Sequence, residues 1–201
     1  MDRNFLLSLP AILFGLTIHE YAHGYVAARL GDPTAKFSGR LTLNPLKHLD
    51  PIGIISALLF RIGWAKPVPI DPFNFPDPKK GILLVSLAGP SANFLIAFLS
   101  GILTRVFKFL PSPFLFQLFS LSVIYNLIFA SFNLIPIPPL DGSKILSYFL
   151  PERLNFYYME LERYGFYLLL MIIVIGNLVG IPILFWLINP FVSFFYRLFT
   201  G

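Results

Sequence analysis

The chain has 201 residues, of which 56% are hydrophobic and 12% charged, with a formal net charge of +5. Ordinary soluble domains carry about twice that share of charge, so the composition excludes a water-soluble fold around one core and points to an all-α polytopic membrane protein. The absence of cysteine excludes disulfides and thiolate metal sites, leaving nitrogen and oxygen as metal ligands, and the basic excess forms no cluster interleaved with aromatics, so nucleic acid is not an expected partner.

Five to six hydrophobic segments follow one another. The first, from about Phe5 to Ala28, reaches the roughly 20 residues of a membrane span only if His19, Glu20 and His23 lie inside it. Its N-terminal flank, Met-Asp-Arg-Asn, is nearly neutral and no small-residue cleavage site follows promptly, so the N-terminus is expected to be retained. Lys36 to Asn44 alternates, with Phe37, Leu41 and Leu43 opposite Lys36, Ser38, Arg40, Thr42 and Asn44, which reads as a half-buried strand. Ala65 to Ile70 reads as a second extended segment, confined by Pro67 and Pro69 to a sheet edge. A small membrane-surface β element is therefore expected between helices one and three. Between its two parts, Pro51 to Phe60 is too short to cross and reads as re-entrant or interfacial.

The third segment runs from about Gly81 to Thr104 and the fourth from Phe114 to Ile135. Tyr164 to Ile175 and Ile181 to Phe199 form two helices or one long broken one, divided by Gly176-Asn177 and Gly180. If Pro51 to Phe60 does not cross, twelve basic residues share one side of the membrane: Arg29, Lys36, Arg40, Lys47, Arg61, Lys66, Lys79, Lys80, Lys144, Arg153, Arg163 and Arg197. Only Arg3, Arg105 and Lys108 fall on the other. The excess marks the cytoplasmic side, with the N-terminus outside and residues 19–23 in the inner half of the bilayer. No repeat or linker divides residues 1–201, which read as a single domain. The many aromatics read as lipid-facing and interfacial side chains.

His19-Glu20-Tyr21-Ala22-His23 carries the chemistry. Positions four apart on a helix lie about 40° apart around its axis, so both imidazoles can reach one zinc with Glu20 beside its open position. Ionisable groups are costly in lipid and tend to mark function there. A catalytic zinc usually takes three protein ligands. Glu152, Glu160 and Glu162 sit in a polar connection; Asp141, in Asn133-Leu-Ile-Pro-Ile-Pro-Pro-Leu-Asp141-Gly142, follows an apolar helix and is the better third ligand. Its alternative role is capping a helix that begins near Ser143. His48 reads as an interfacial loop residue, with a place near the metal as the alternative.

With these motifs on the page, the chain resembles the site-2 protease family of intramembrane zinc metalloproteases. HEYAH matches that family's first motif, NLIPIPPLDG its N-x-x-P-x-P-x-L-D-G, and Gly89 to Asn93 its G-x-x-x-N; RLTLNPLKHLDPIG and the overall size resemble short members without PDZ or CBS domains. The resemblance implies His19, His23 and Asp141 as ligands of one Zn2+ per chain, with Glu20 as general base. Asn133 would donate a hydrogen bond to substrate or oxyanion, or else cap the fourth helix. Asn93, beside the small residues Gly89, Ser91 and Ala92, reads more as packing or network than as catalysis. The implied function is a zinc-dependent endopeptidase cutting in or near transmembrane segments of membrane proteins, in a prokaryotic cell membrane. The alternative is a non-enzymatic metal transporter or sensor using the same His/Asp site, which would have no need of a base beside its ligands.

Overall fold

The computed structural model describes residues 3–60 and 63–201, with side chains at all of these except 3–5, 57–60 and 177. Arg61, counted above toward the cytoplasmic side, lies outside the described residues. Eight α-helices are described: α1 (Arg3–Arg29), α2 (Thr34–Phe37), α3 (Pro51–Phe60), α4 (Pro78–Lys108), α5 (Pro113–Asn133), α6 (Asp141–Phe149), α7 (Glu152–Val179) and α8 (Ile183–Thr200). Short 3-10 turns occupy Pro45–Lys47 and Pro72–Asn74.

Local chemistry sets the main boundaries. Asp77 caps α4 by accepting the Lys80 N–H at 3.0 Å, and Pro78 and Pro113 each open a helix where no backbone donor is required. The last two helices are separate, turned by Gly180 at φ 73°. The seventh starts a full polar stretch earlier than Tyr164, at Glu152.

Among the described residues three helices, α4, α5 and α8, are long and apolar enough to cross a membrane. The expected five to six segments thus reduce to three by that measure. The helices α1 and α7 are comparably long, at 27 and 28 residues, but hold His19, Glu20 and His23 in one and Glu160, Glu162 and Arg163 in the other.

Helices α4 and α5 lie side by side, α1 packs across both, and α8 covers their other flank. Ala97, Val123, Leu127 and Phe199 are buried at the α4–α5–α8 junction, where Phe94 meets Phe195 with ring centres 4.8 Å apart. Hydroxyls inside this bundle bond back to their own helices: Thr17 to the Leu13 carbonyl, Thr104 to Ser100 and Ser131 to Leu127. Leu95, Leu99, Ile102, Trp186 and Leu187 point outward, as apolar side chains do when the surrounding solvent is lipid.

The β element expected between helices one and three is replaced by other structure. Lys36 and Phe37 end the helical turn α2, and Gly39 at φ 65° reverses the chain in mid-alternation. Phe37 and Leu43, assigned to a buried face, are 83% and 57% exposed. Among the described residues the sole pairing is an isolated antiparallel bridge between Leu49 and Ala65. Ala65 to Ile70 is extended, but Pro67 and Pro69 offer no N–H to a ladder. Side chains stitch this region instead. Arg40 donates to the Lys66 carbonyl at 2.5 Å, and the His48 ring bonds the Thr42 carbonyl at 2.8 Å. Asp32, fully buried, accepts from the Thr34 N–H and hydroxyl, the Asp71 N–H and the Asn74 amide. Burial alone would raise the Asp32 pKa; these donors together hold it below the ordinary carboxylate value.

Candidate metal centre

The centre lies where α1, α4 and the start of α6 meet. Glycines permit the approach. A Cβ at Gly89 would stand 2.5 Å from His23 Nε2 and 2.7 Å from His19 Nε2, so only a glycine lets α4 pass the two imidazoles at this distance. At the other wall, Pro136, Pro138 and Pro139 break the helical ladder after α5 and the chain doubles back. A Cβ at Gly142 would lie 2.3 Å from the Leu134 carbonyl oxygen, which shows how tightly α6 starts against the end of α5. That reversal delivers Asp141 to α1.

His19 Nε2 and His23 Nε2 are 3.0 Å apart, and each is 3.2 Å from Asp141 Oδ2. All three residues are buried. The other ring nitrogens determine what these atoms carry. His23 Nδ1 lies 2.7 Å from the Val85 carbonyl, which can only accept, so Nδ1 bears the proton. His19 Nδ1 lies 2.6 Å from Asn93 Oδ1, and the Asn93 amide nitrogen donates to the Gly15 carbonyl at 3.0 Å, so here too the ring donates. With the proton on Nδ1, each neutral ring turns a lone pair on Nε2 toward the carboxylate. Asp141 Oδ2 is buried without a hydrogen-bond partner among the described residues.

Three lone-pair donors thus converge with no hydrogen assigned between them, an arrangement that a cation relieves. Tetrahedral zinc, with bonds of about 2.0–2.2 Å, would separate its ligand atoms by about 3.3–3.6 Å. The observed separations come close to this, and His19, His23 and Asp141 together could hold a metal ion. Asp141 is the first residue of α6, and no side chain caps that helix: the cap position belongs to Leu140.

Glu20 is buried beside the cluster and accepts the Val68 N–H at 2.9 Å, so the extended Ala65–Ile70 segment anchors its carboxylate. Asn93 sits in the network rather than facing open space, since its amide also donates to Asn126 Oδ1 at 2.9 Å. Asn126 donates in turn to the Ser122 carbonyl at 2.9 Å. The direction is uniform from ring to carbonyl: His19 gives to Asn93, Asn93 to Asn126 and Asn126 to Ser122. Asn133 instead returns its amide to the Phe129 carbonyl at 3.0 Å, along its own helix. His48 is buried in its loop and is not part of the metal-ligating group.

Asn126 was not singled out in the sequence, although an amide in the middle of the apolar run Val123 to Phe129 is its visible signal. The roles of the Val85 carbonyl and the Val68 N–H have no side-chain signal at all.

The fold and the site together define a helical protein with three helices long and apolar enough to cross a membrane, a buried His-His-Asp group that could hold a metal ion, and a carboxylate beside it. Residues 106–176 match the model of peptidase family M50. The chain is 40% identical over 182 residues to the "Putative zinc metalloprotease YwhC" of Bacillus subtilis, an alignment covering 86% of this chain and 83% of that protein. It is 30% identical over 176 residues to the "Putative zinc metalloprotease Rip2" of Mycolicibacterium smegmatis, covering 85% and 67% respectively. It is also 30% identical over 148 residues to the "Putative zinc metalloprotease MJ0611" of Methanocaldococcus jannaschii, covering 72% and 71%. No solved structure matches the chain. The chain belongs to peptidase family M50, the site-2 protease family, and is a zinc metalloprotease.

Proposed function

We propose that this metalloprotease is an intramembrane endopeptidase that hydrolyses peptide bonds in or near the transmembrane segments of other membrane proteins, in regulated proteolysis. The observation that carries the reading is the position of the centre: His19, Glu20 and His23 sit in the second half of a 27-residue helix packed against two helices long and apolar enough to cross a membrane. In this reading α1 and α7 cross the membrane as well, which makes the chain multi-pass. The distribution of lysine and arginine supports an outside N-terminus and a centre toward the cytoplasm of a prokaryotic cell.

His19, His23 and Asp141 hold one zinc, which when bound supplies Lewis acidity that lowers the pKa of water toward about 7 and polarises a carbonyl oxygen. The Nδ1 hydrogen bonds to Asn93 and Val85 keep both imidazoles in the metal-ready tautomer. Glu20, oriented by the Val68 N–H, takes a proton from water as the water oxygen bonds to the peptide carbonyl carbon. It then delivers that proton to the amide nitrogen as the C–N bond breaks, leaving a carboxylate and an amine. Asn133 is a candidate donor to substrate only if its bond to Phe129 opens.

The test is Glu20→Gln in proteoliposomes with a fluorogenic transmembrane peptide. Cleavage is expected to fall by about 10²–10⁴-fold while bound zinc remains one per chain. If the Gln variant cleaves at the wild-type rate, or the wild type moves zinc across the vesicle membrane without cutting any peptide, the metal-transport alternative takes its place.

A further inference from the structure

A cavity of about 260 Å³ opens between α4, α6, α7 and the Ile70–Pro72 loop. Ile70, Pro72, Ile82, Val85 and Met159 make much of its wall apolar. Two of its polar groups are already committed. The Tyr158 hydroxyl donates to the Pro136 carbonyl at 2.7 Å, and the Ser147 hydroxyl donates to Asn155 Oδ1 at 2.5 Å. Its two charged groups are not. Lys144, half-buried on α6, and Glu162, exposed on α7, both line the cavity, and neither makes an ion pair among the described residues. Opposite charges that line one cavity without pairing leave room between them for a ligand bearing both signs.

The setting selects among such ligands. Lys144 lies in the first turn of α6 and Ile82 in the second turn of α4. Between these helices, Lys79 stands over the Tyr148 ring, 5.6 Å from its centre. Lysines and tyrosines gather at the headgroup level of a bilayer, and the topology proposed above puts this end of the molecule at the cytoplasmic face. Basic pockets between membrane helices on that side bind lipid headgroups. Met159, 57% exposed and one turn before Glu162 on the same face of α7, carries the apolar wall out to the rim. A water-soluble zwitterion has no use for that wall, whereas the first chain carbons of a phospholipid do. Whole drug-sized ligands take about 300–1,000 Å³, so the volume suits a headgroup rather than an entire lipid.

We propose that this cavity binds the headgroup of an aminophospholipid, with its phosphate at Lys144, its primary ammonium at Glu162 and its first acyl carbons along Ile82 and Met159. The proposal rests on the bilayer placement in the reading above, and not on the peptidase chemistry. Lysine meets phosphate as a point charge and does not tell one phospholipid from another. Glu162 does. A primary ammonium brings it both charge and N–H donors, a glycerol headgroup brings no charge, and a trimethylated ammonium brings no donor. So placed, the headgroup links α7, which meets chiefly α8 and α6, to α4.

The test is native mass spectrometry of the zinc-loaded full chain in detergent with equimolar phosphatidylethanolamine, phosphatidylcholine and phosphatidylglycerol of identical acyl chains. Wild type is expected to retain phosphatidylethanolamine over each of the others by about three- to fivefold, the scale of one partly exposed ion pair. Glu162→Gln should bring the phosphatidylethanolamine-to-phosphatidylglycerol ratio to about one. Lys144→Gln should lower retention of all three by a similar factor and keep that ratio. Zinc content should match wild type in both variants. Equal retention of the three lipids by wild type, or a ratio unmoved by Glu162→Gln, overturns the site. Displacement of the lipid by an equal concentration of water-soluble glycerophosphoethanolamine overturns the membrane source. Labelling of Ile82 or Met159 by a benzophenone-bearing transmembrane peptide, with no lipid preference, overturns it in favour of a peptide site. None of these readouts involves turnover, so the lipid site and the protease reading stand or fall separately.

Discussion

The region built by α1, α4 and α5, which carries His19 and His23, and the layer built by α6 and α7 are held by different means. In the first, amides are paired in series, from His19 through Asn93 and Asn126 to Ser122. In the second, α7 meets chiefly α8 and α6, exposes Tyr157, Tyr167 and Met171, and leaves a cavity where it faces α4. The difference teaches that rigidity is concentrated on two of the three candidate metal ligands. The third, Asp141, arrives at the start of α6, after a proline-broken turn.

Substitutions can break or sharpen this contrast. The largest effect is expected within the tight region at Gly89, where even an alanine methyl would fall on both imidazoles. Gly89→Val should abolish zinc retention and proteolysis together, read by metal analysis of purified protein. Next comes the amide series. Asn93→Leu removes the acceptor for His19 Nδ1 and should weaken zinc affinity by about 10–100-fold, measured by chelator competition. Asn126→Leu acts one bond further out and should show a smaller loss in the same assay, with Ser122→Ala nearly neutral because the carbonyl, not the hydroxyl, is the main acceptor.

A subtler effect concerns the turn after α1, which Asp32 ties to Asp71 and Asn74. The Asp32 pKa is lowered in the fold, so its contribution to stability is present above the unfolded carboxylate value of about 4 and is lost as pH falls through the folded one. Asp32→Asn should lower the thermal midpoint near neutral pH, and the deficit should shrink on acidification below about pH 4. Least of all, Phe37→Ser, at a side chain 83% exposed, should shift stability by no more than about 0.5 kcal/mol in either direction if Phe37 faces water. A larger loss in bilayers than in detergent would show instead that this side chain rests on lipid.

Much of the site was legible because it is written in local spacing. His19 and His23 share a helical face whatever surrounds them, and the prolines before Asp141 announce a break in a helix. What escaped was written across distance. The Asn126 amide meets Asn93 from 33 positions away, the Val68 N–H meets Glu20 from 48, and no periodicity within one element encodes such pairs. The fold divides the same way. Long apolar runs announced α4, α5 and α8, while the two-residue alternation from Lys36 to Asn44 misled because Gly39 turns the chain inside it and the facing segment, rich in proline, has few donors. The cap role considered for Asp141 failed for a simpler reason: the residue begins α6 instead of preceding it, and its carboxylate turns to α1.

The most direct test of the central claim is the zinc content of the detergent-purified chain, measured alongside His23→Ala and Asp141→Ala and joined to X-ray absorption at the zinc edge. The account predicts one zinc per chain with two imidazoles among its ligands, lost or sharply weakened in both variants. A wild-type chain that holds no zinc under conditions where it cleaves peptide, or variants that keep their zinc in an unchanged coordination shell, would contradict it.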